Sequence, residues 1–260
     1  MRIGGNFLKT INVKNIEFGK GRPKICIPIM GKTIQDLKQE LQGLQGLPFD
    51  IIEWRMDHFK DILNQEKALE AVHLVRQALK DIPLLATFRT AKEGGEMTIS
   101  IEEYIQLNRW MIDSGMIDFI DVECFTGDMA VKTIVDHAHA HSVYVIMSNH
   151  DFNQTPSYDE IIARLRLMQD MNADIPKIAL MPQSKKDVLT VLQATLDMYE
   201  QYADRPIITM SMGPNGVISR LSGELFGSCL TFGAAKVASA PGQIDVINLD
   251  TVLEIFHKSL

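Results

Sequence analysis

The feature that most constrains this chain is an alternation that repeats eight times. Short apolar, β-branched runs occur at Lys24–Met30, Ile51–Arg55, Leu84–Arg89 and Phe119–Cys124, then at Tyr144–Ser148, Ile175–Leu180, Ile207–Met212 and Cys229–Phe232. Between them lie longer segments whose apolar residues recur at i, i+3, i+4 and i+7, the period of a helix packed on one face. Ile101, Ile105, Trp110 and Ile112 form one such series; Val188, Leu192, Leu196 and Tyr199 form another. Start signals agree: Thr33 as an N-cap, and Ser100 with Glu103 and Ser157 with Glu160 as capping boxes. The last helix is expected near Val246–His257. Eight strand–helix units predict an α/β protein, a parallel (β/α)8 or TIM barrel. The length, 260 residues, suits one such domain spanning 1–260. Residues 1–23 precede the first strand. Alternation at Ile11, Val13, Ile16 and Phe18 predicts a short β-hairpin there, closing the barrel bottom. An open doubly wound sheet is the alternative, but its Gly-rich phosphate fingerprint is missing after the first strand.

Composition narrows the partners. Apolar residues at 46% and charged residues at 23% exclude a disordered chain or a coiled coil. Asp plus Glu exceeds Lys plus Arg by 33 to 26, a net charge of −7. So acidic a chain lacks a general footprint for nucleic acid. Three cysteines do not build a disulfide framework and fit a reducing cytosol. Met1 to Thr10 has no apolar stretch of a signal peptide, and no run reaches the roughly 18 apolar residues of a membrane span. The expectation is a cytoplasmic protein bound neither to membrane nor to nucleic acid.

In a barrel the chemistry sits at the C-terminal ends of the strands. The second strand ends in Glu53-Trp54-Arg55-Met56-Asp57, the third in Arg89 through Glu96, the fourth near Asp121 and Glu123, and the fifth in Ser148-Asn149-His150-Asp151. The sixth contains Lys177, the seventh leads to Ser219-Arg220, and Ser239 to Gln243 follow the eighth. Lys177 within an apolar run either faces the interior or snorkels past the strand end. Buried, it loses solvation, which favours the neutral amine, a nucleophile toward ketones. His150 can take and return a proton near neutral pH, and Glu93 can orient its ring. Arg55, Arg89 and Arg220 are a candidate cationic cluster for a carboxylate.

Two motifs are weaker. His137, His139 and His141 would share one face of a strand, but on a helix neighbours two apart diverge, so no metal is expected. Gly213-Pro214-Asn215-Gly216 is a tight turn before a helix without the lysine of a nucleotide-binding P-loop.

Taken in order, Glu53-Trp54-Arg55, Phe88-Arg89-Thr90-Ala91-Lys92-Glu93-Gly94-Gly95-Glu96, Ser148-Asn149-His150-Asp151-Phe152 and Pro176-Lys177-Ile178-Ala179 form a set. It continues with Ser219-Arg220, Phe226-Gly227-Ser228, Thr231-Phe232-Gly233 and Ser239-Ala240-Pro241-Gly242-Gln243. Over about residues 11 to 258 the chain resembles the type I 3-dehydroquinate dehydratases. The resemblance implies a homodimeric barrel lyase of the shikimate pathway of aromatic amino acid biosynthesis, with no metal or organic cofactor. It would convert 3-dehydroquinate to 3-dehydroshikimate through a Schiff base on Lys177, with His150 as general acid/base and Glu93 in support. Glu53 and Arg55 would hold ring hydroxyls; Arg89, Arg220, Ser239 and Gln243 would bind substrate, Arg220 at the carboxylate. Some members have Ser at the end of the first strand, where Pro28 stands here and offers no side-chain hydrogen bond. The Ser228–Gln243 loop is rich enough in Gly and Ser to close over substrate. Two rivals share the barrel: a class I aldolase, which would break a C–C bond, and a protein that binds a small acid without turning it over.

Overall fold

The structure, a computed structural model, describes residues 10–235 and 239–260. The leader reading over residues 1–9, and residues 236–238 of the Ser228–Gln243 segment, lie outside the described residues; Leu230–Ala234 of that segment is strand and not loop. An antiparallel hairpin comes first, β1 (Ile11–Val13) and β2 (Ile16–Phe18). Eight parallel strands follow: β3 (Lys24–Ile29), β4 (Ile51–Arg55), β5 (Leu84–Thr87), β6 (Phe119–Glu123), β7 (Tyr144–Asp151), β8 (Ile175–Leu180), β9 (Ile208–Ser211) and β10 (Leu230–Ala234). Consecutive strands pair from β3 to β9, and β10 returns to pair with β3. The ring closes between Ile207 and Ser228 through one isolated bridge, with the Cys229 N–H donating to the Ile207 carbonyl at 2.9 Å. A short β11 (Ile244–Asp245), which the sequence pattern did not suggest, extends the sheet beside Gly233 and Ala234.

The outer helices are α1 (Ile34–Gln42), α2 (Gln65–Leu79), α3 (Ile101–Asp113), α4 (Asp128–Ala140), α5 (Tyr158–Asp170), α6 (Lys185–Asp197), the short α7 (Val217–Leu221) and α8 (Gly223–Phe226), and α9 (Val246–Ser259). Thr33 caps α1, and Ser100 and Glu103 form the full reciprocal box on α3. Such a cap contributes about 1 kcal/mol. At α5 only half the box forms. Ser157 accepts from the Glu160 N–H, while the Glu160 carboxylate turns to Arg164 Nε at 2.7 Å. The expected apolar stripe of α3 holds at Ile112, which is buried, and at Ile105 and Trp110, which are half-buried against the core, but not at Ile101. Tyr104, Leu107, Asn108, Met111 and Ile112 are buried, whereas Ile101 is exposed. Asn108 sits inside with its Nδ2 donating to the Tyr104 carbonyl at 2.8 Å and its Oδ1 without a partner.

Side chains alternate across each strand. Outward residues such as Ile27, Trp54, Ala86, Val122 and Met147 pack under the helices. Inward residues at the strand starts, Cys26, Ile51, Leu85, Phe119, Ile146, Ile175, Ile208 and Leu230, pack with Ile11, Val13 and Phe18 of the hairpin. Phe18 meets Phe119 edge to face, ring centroids 5.1 Å apart. The hairpin therefore plugs the barrel floor, each buried Ile or Phe stabilising by about 1.5–3 kcal/mol. Two residues further along, five of these eight inward positions turn polar: Glu53, Thr87, Asp121, Ser148 and Lys177, all buried.

Candidate active site

Lys177 lies within β8 and is 3% exposed, so it points inward rather than snorkelling. Its Nζ is 3.4 Å from Asp121 Oδ2, 3.9 Å from Glu53 Oε1 and 4.8 Å from the centroid of the Phe232 ring. Two carboxylates and a ring face thus surround the amine. The pairing is set by register, since Ser148 on β7 lies opposite Lys177 and its Oγ donates to Asp121 Oδ1 at 2.7 Å.

Arg89, just past β5, organises the next layer. Its Nη2 reaches Asp121 Oδ1 at 2.8 Å, and its Nη1 reaches Glu123 Oε1 at 2.8 Å and Ser148 Oγ at 3.0 Å. Thr90 binds Glu123 through its N–H at 2.8 Å and its Oγ1 at 2.7 Å. Burial alone would raise the Asp121 pKa, but Arg89 and Lys177 outweigh it and hold the carboxyl below its usual range. Arg55 forms a two-pronged fork on Asp57, Nε to Oδ1 and Nη2 to Oδ2, both at 2.8 Å. Asp57 also accepts the Glu96 N–H at 3.1 Å, tying the loop after β5 to the end of β4.

The three arginines of the expected cationic cluster line one cavity, and two of them are paired within the protein. Arg55 and Arg89 already face carboxylates, which offset the cost of burying each guanidinium. Arg220 is different. It is 1% exposed, donates from Nη2 to the Pro241 carbonyl at 3.1 Å, and lies 3.6 Å from Met210 Sδ. Its Nε has no partner, and no carboxylate among the described residues pairs with it. Unrelieved burial lowers its pKa to about 10.

His150 occupies the end of β7. Its Nδ1 lies 3.0 Å from Glu93 Oε2, and its backbone N–H donates to the same oxygen at 2.9 Å. Asn149 Nδ2 donates to Glu93 Oε1 at 3.2 Å and is itself held by Arg164 Nη1 at 2.9 Å. With Nδ1–H directed at Glu93, the His150 Nε2 keeps a lone pair. Burial, and then the charges of Arg89, Lys177 and Arg55, pull the imidazole pKa well below its ordinary value. Burial raises the Glu93 carboxyl to about 7, against the pull of Arg89.

All nine residues singled out from the sequence line one cavity of about 240 Å³: Glu53, Arg55, Arg89, Glu93, His150, Lys177, Arg220, Ser239 and Gln243. Met210, Met212, Phe152 and Phe232 supply its apolar wall. Ser239 and Gln243 hold each other, N–H to Oε1 and Nε2 to Oγ, both at 2.8 Å. Their loop is pinned to the turn after β9 by the Gly213 N–H donating to the Pro241 carbonyl at 3.1 Å. The Gly213 turn therefore fastens this loop. Gly242 has φ +78°, and a Cβ there would collide with the Gly213 carbonyl, so only glycine fits. Pro28 lines a separate cavity beside α1. Sequence reasoning gave no role to Asp57, Asp121 or Glu123 as partners of the arginines. The signal was present in Asp121 and Glu123, two ionisable residues at i and i+2 in an apolar run, which places both on the inward face.

A closed eight-stranded barrel with this cavity at the C-terminal ends of its strands defines the class, a (β/α)8-barrel enzyme. The profile of the type I 3-dehydroquinases matches residues 25–260, and the chain belongs to that family, whose members are dehydratases. A 3-dehydroquinate dehydratase of Salmonella agona (strain SL483) is 58% identical over 252 residues, 97% of this chain and 100% of the relative. The enzyme of the same name from Escherichia coli O9:H4 (strain HS) is 60% identical with the same coverage. The solved type I 3-dehydroquinate dehydratase of Clostridium difficile, with covalent modified comenic acid, superposes with a TM-score of 0.95 at 52% identity. That superposition covers 98% of this chain and 100% of that one.

Proposed function

We propose that this chain dehydrates 3-dehydroquinate to 3-dehydroshikimate through an imine on Lys177, with His150 moving the protons. The observation that carries the reading is a single small cavity lined by a buried lysine, an imidazole on a carboxylate, and an arginine lacking an anion. A relative solved with a covalently modified small acid agrees with a nucleophile in the same fold.

The chemistry follows from electron demand. A proton next to a ketone is hard to remove because the carbanion is unstable. Lys177 attacks the carbonyl carbon as the neutral amine, and the carbinolamine loses water to give a protonated imine. The positive nitrogen then accepts the electron pair when His150 Nε2 removes the neighbouring proton, forming a neutral enamine. The enamine expels the β-hydroxyl, which leaves as water with the proton that His150 returns. A water molecule hydrolyses the conjugated imine and frees Lys177. Two waters leave and one is consumed, a net loss of one. A depressed imidazole pKa suits the first step, because the ring is neutral and ready to accept at neutral pH. Arg220 binds the substrate carboxylate, which supplies its missing anion. Glu53 and Arg55 hold ring hydroxyls, and Arg89, Ser239 and Gln243 complete the enclosure.

The reading includes a homodimer, no metal or organic cofactor, and a place in the shikimate pathway of aromatic amino acid biosynthesis in the cytoplasm. Three free, buried cysteines suit that compartment, and among the described residues no helix is long and apolar enough to cross a membrane. Purified enzyme mixed with 3-dehydroquinate should develop the ultraviolet absorbance of a conjugated enone. A product lacking it, or fragments from C–C cleavage, would contradict the proposal. Sedimentation analysis reads the oligomeric state.

A further inference from the structure

At the floor of the barrel, opposite the mouth, the last residue of α3 meets the last turn of α4. Asp113 Oδ1 lies 2.6 Å from His137 Nε2 and 3.6 Å from His141 Nε2. Histidines two apart on a helix diverge, but this run also contains a pair four apart. His137 and His141 do share a face, since residues at i and i+4 are helix neighbours. Their ring centroids are 4.4 Å apart. We propose that Asp113, His137 and His141 form a binding site for one divalent first-row transition-metal ion, exemplified by Zn²⁺.

Four features support it. The donor atoms all lie within 4.8 Å of one another. Zinc bonds nitrogen and oxygen at roughly 2.0–2.2 Å, which puts tetrahedral donors about 3.3–3.6 Å apart. The His141 contact already has that spacing, and the His137 contact must open by about 1 Å. Second, His141 Nδ1 lies 2.9 Å from the His137 carbonyl oxygen. That bond places the proton on Nδ1 and leaves the Nε2 lone pair facing Asp113, the outer-shell arrangement usual for metal-bound histidine. Third, Asp113 ends α3 and His141 caps the C-terminus of α4, so a cation there meets the negative ends of two helix dipoles. Fourth, the side chains are 50%, 20% and 44% exposed in the order Asp113, His137, His141, which lets an ion enter and water complete its shell. Two imidazoles and one carboxylate select transition metals over Mg²⁺ and Ca²⁺, which prefer all-oxygen shells. The ion would fasten α3 to α4 and leave the distant cavity unchanged.

The test is calorimetric titration of ZnCl₂ into untagged, chelator-treated enzyme, with Tm measured in parallel. The expected result is about one Zn²⁺ per chain and a Tm that rises with Zn²⁺. His137→Ala and His141→Ala should each weaken binding by at least about tenfold. His139→Ala is the internal control, because that ring pairs with Asp174 at 2.8 Å instead. It should bind Zn²⁺ like the wild type. Turnover of each variant confirms its fold, since none of the three histidines lines the cavity. Wild-type affinity equal to that of the His137→Ala/His141→Ala double variant would overturn the site, as would equal loss in His139→Ala.

Discussion

The barrel floor and the barrel mouth are built from the same strands yet hold opposite chemistry. At the floor, Phe119, Ile146 and Ile175 close on Phe18 of the hairpin with no charge among them. Two to four residues later the same inward faces present Asp121, Ser148, Lys177, Glu123 and His150, all but His150 nearly sealed from water. The floor can vary in shape provided its volume is filled. The mouth cannot, because buried charges such as Arg89, Asp121 and Lys177 are bearable only beside their partners. The difference assigns stability to one end and chemistry to the other, and it also isolates Arg220 as the charge left for a ligand.

The comparison breaks most visibly at Lys177. Lys177→Met should reduce turnover of 3-dehydroquinate to background while the protein stays folded; activity in that variant would remove the lysine from the account. His150→Ala should lower kcat by about 10²–10⁴-fold and still permit imine formation, read by stopped-flow and mass spectrometry. At the other end, Phe18→Ala should cost ~3–5 kcal/mol in urea unfolding with kcat per folded molecule unchanged. Loss of kcat without loss of stability would erase the division between floor and mouth. Arg220→Ala should weaken substrate binding by about 2–5 kcal/mol, seen chiefly in KM, since it leaves a buried carboxylate unpaired.

The smallest effect concerns pH. Glu93 is raised from an ordinary 4.5 to about 7 by burial. Between those values the folded protein holds a proton that the unfolded chain has released. Stability from this group is therefore full below about 4.5 and lost as pH rises through about 7. His150, depressed by burial, contributes with the opposite sign and touches Glu93, so the direction of the difference between wild type and Glu93→Gln is the informative quantity. That difference should move against the wild type as pH rises from 4.5 through about 7. A flat difference would contradict the raised carboxyl.

Much of the fold was legible because strand and helix periods differ and repeat. Ile51–Arg55 and Ile175–Leu180 match the observed strands residue for residue. The stripe of α3 departs from the sequence pattern at two places: Ile101 is apolar yet lies at the exposed start, and Asn108 is polar yet buried. All nine candidate residues reach one cavity, because alternation and strand order suffice to bring inward strand ends together. What the sequence could not reveal was who pairs with whom. Arg55 and Arg89 read from the sequence as open cations, whereas Asp57, two residues along, and Asp121 and Glu123 on the neighbouring strand pair with them. Likewise, the floor-side pairing of His141 with Asp113 needs two helices placed side by side.

The central claim is that the buried lysine of β8 carries the substrate covalently. Enzyme incubated with 3-dehydroquinate and sodium borohydride should gain one substrate-derived mass, and peptide mapping should place it on Lys177. Modification of another lysine, or none in an active enzyme, would contradict the account.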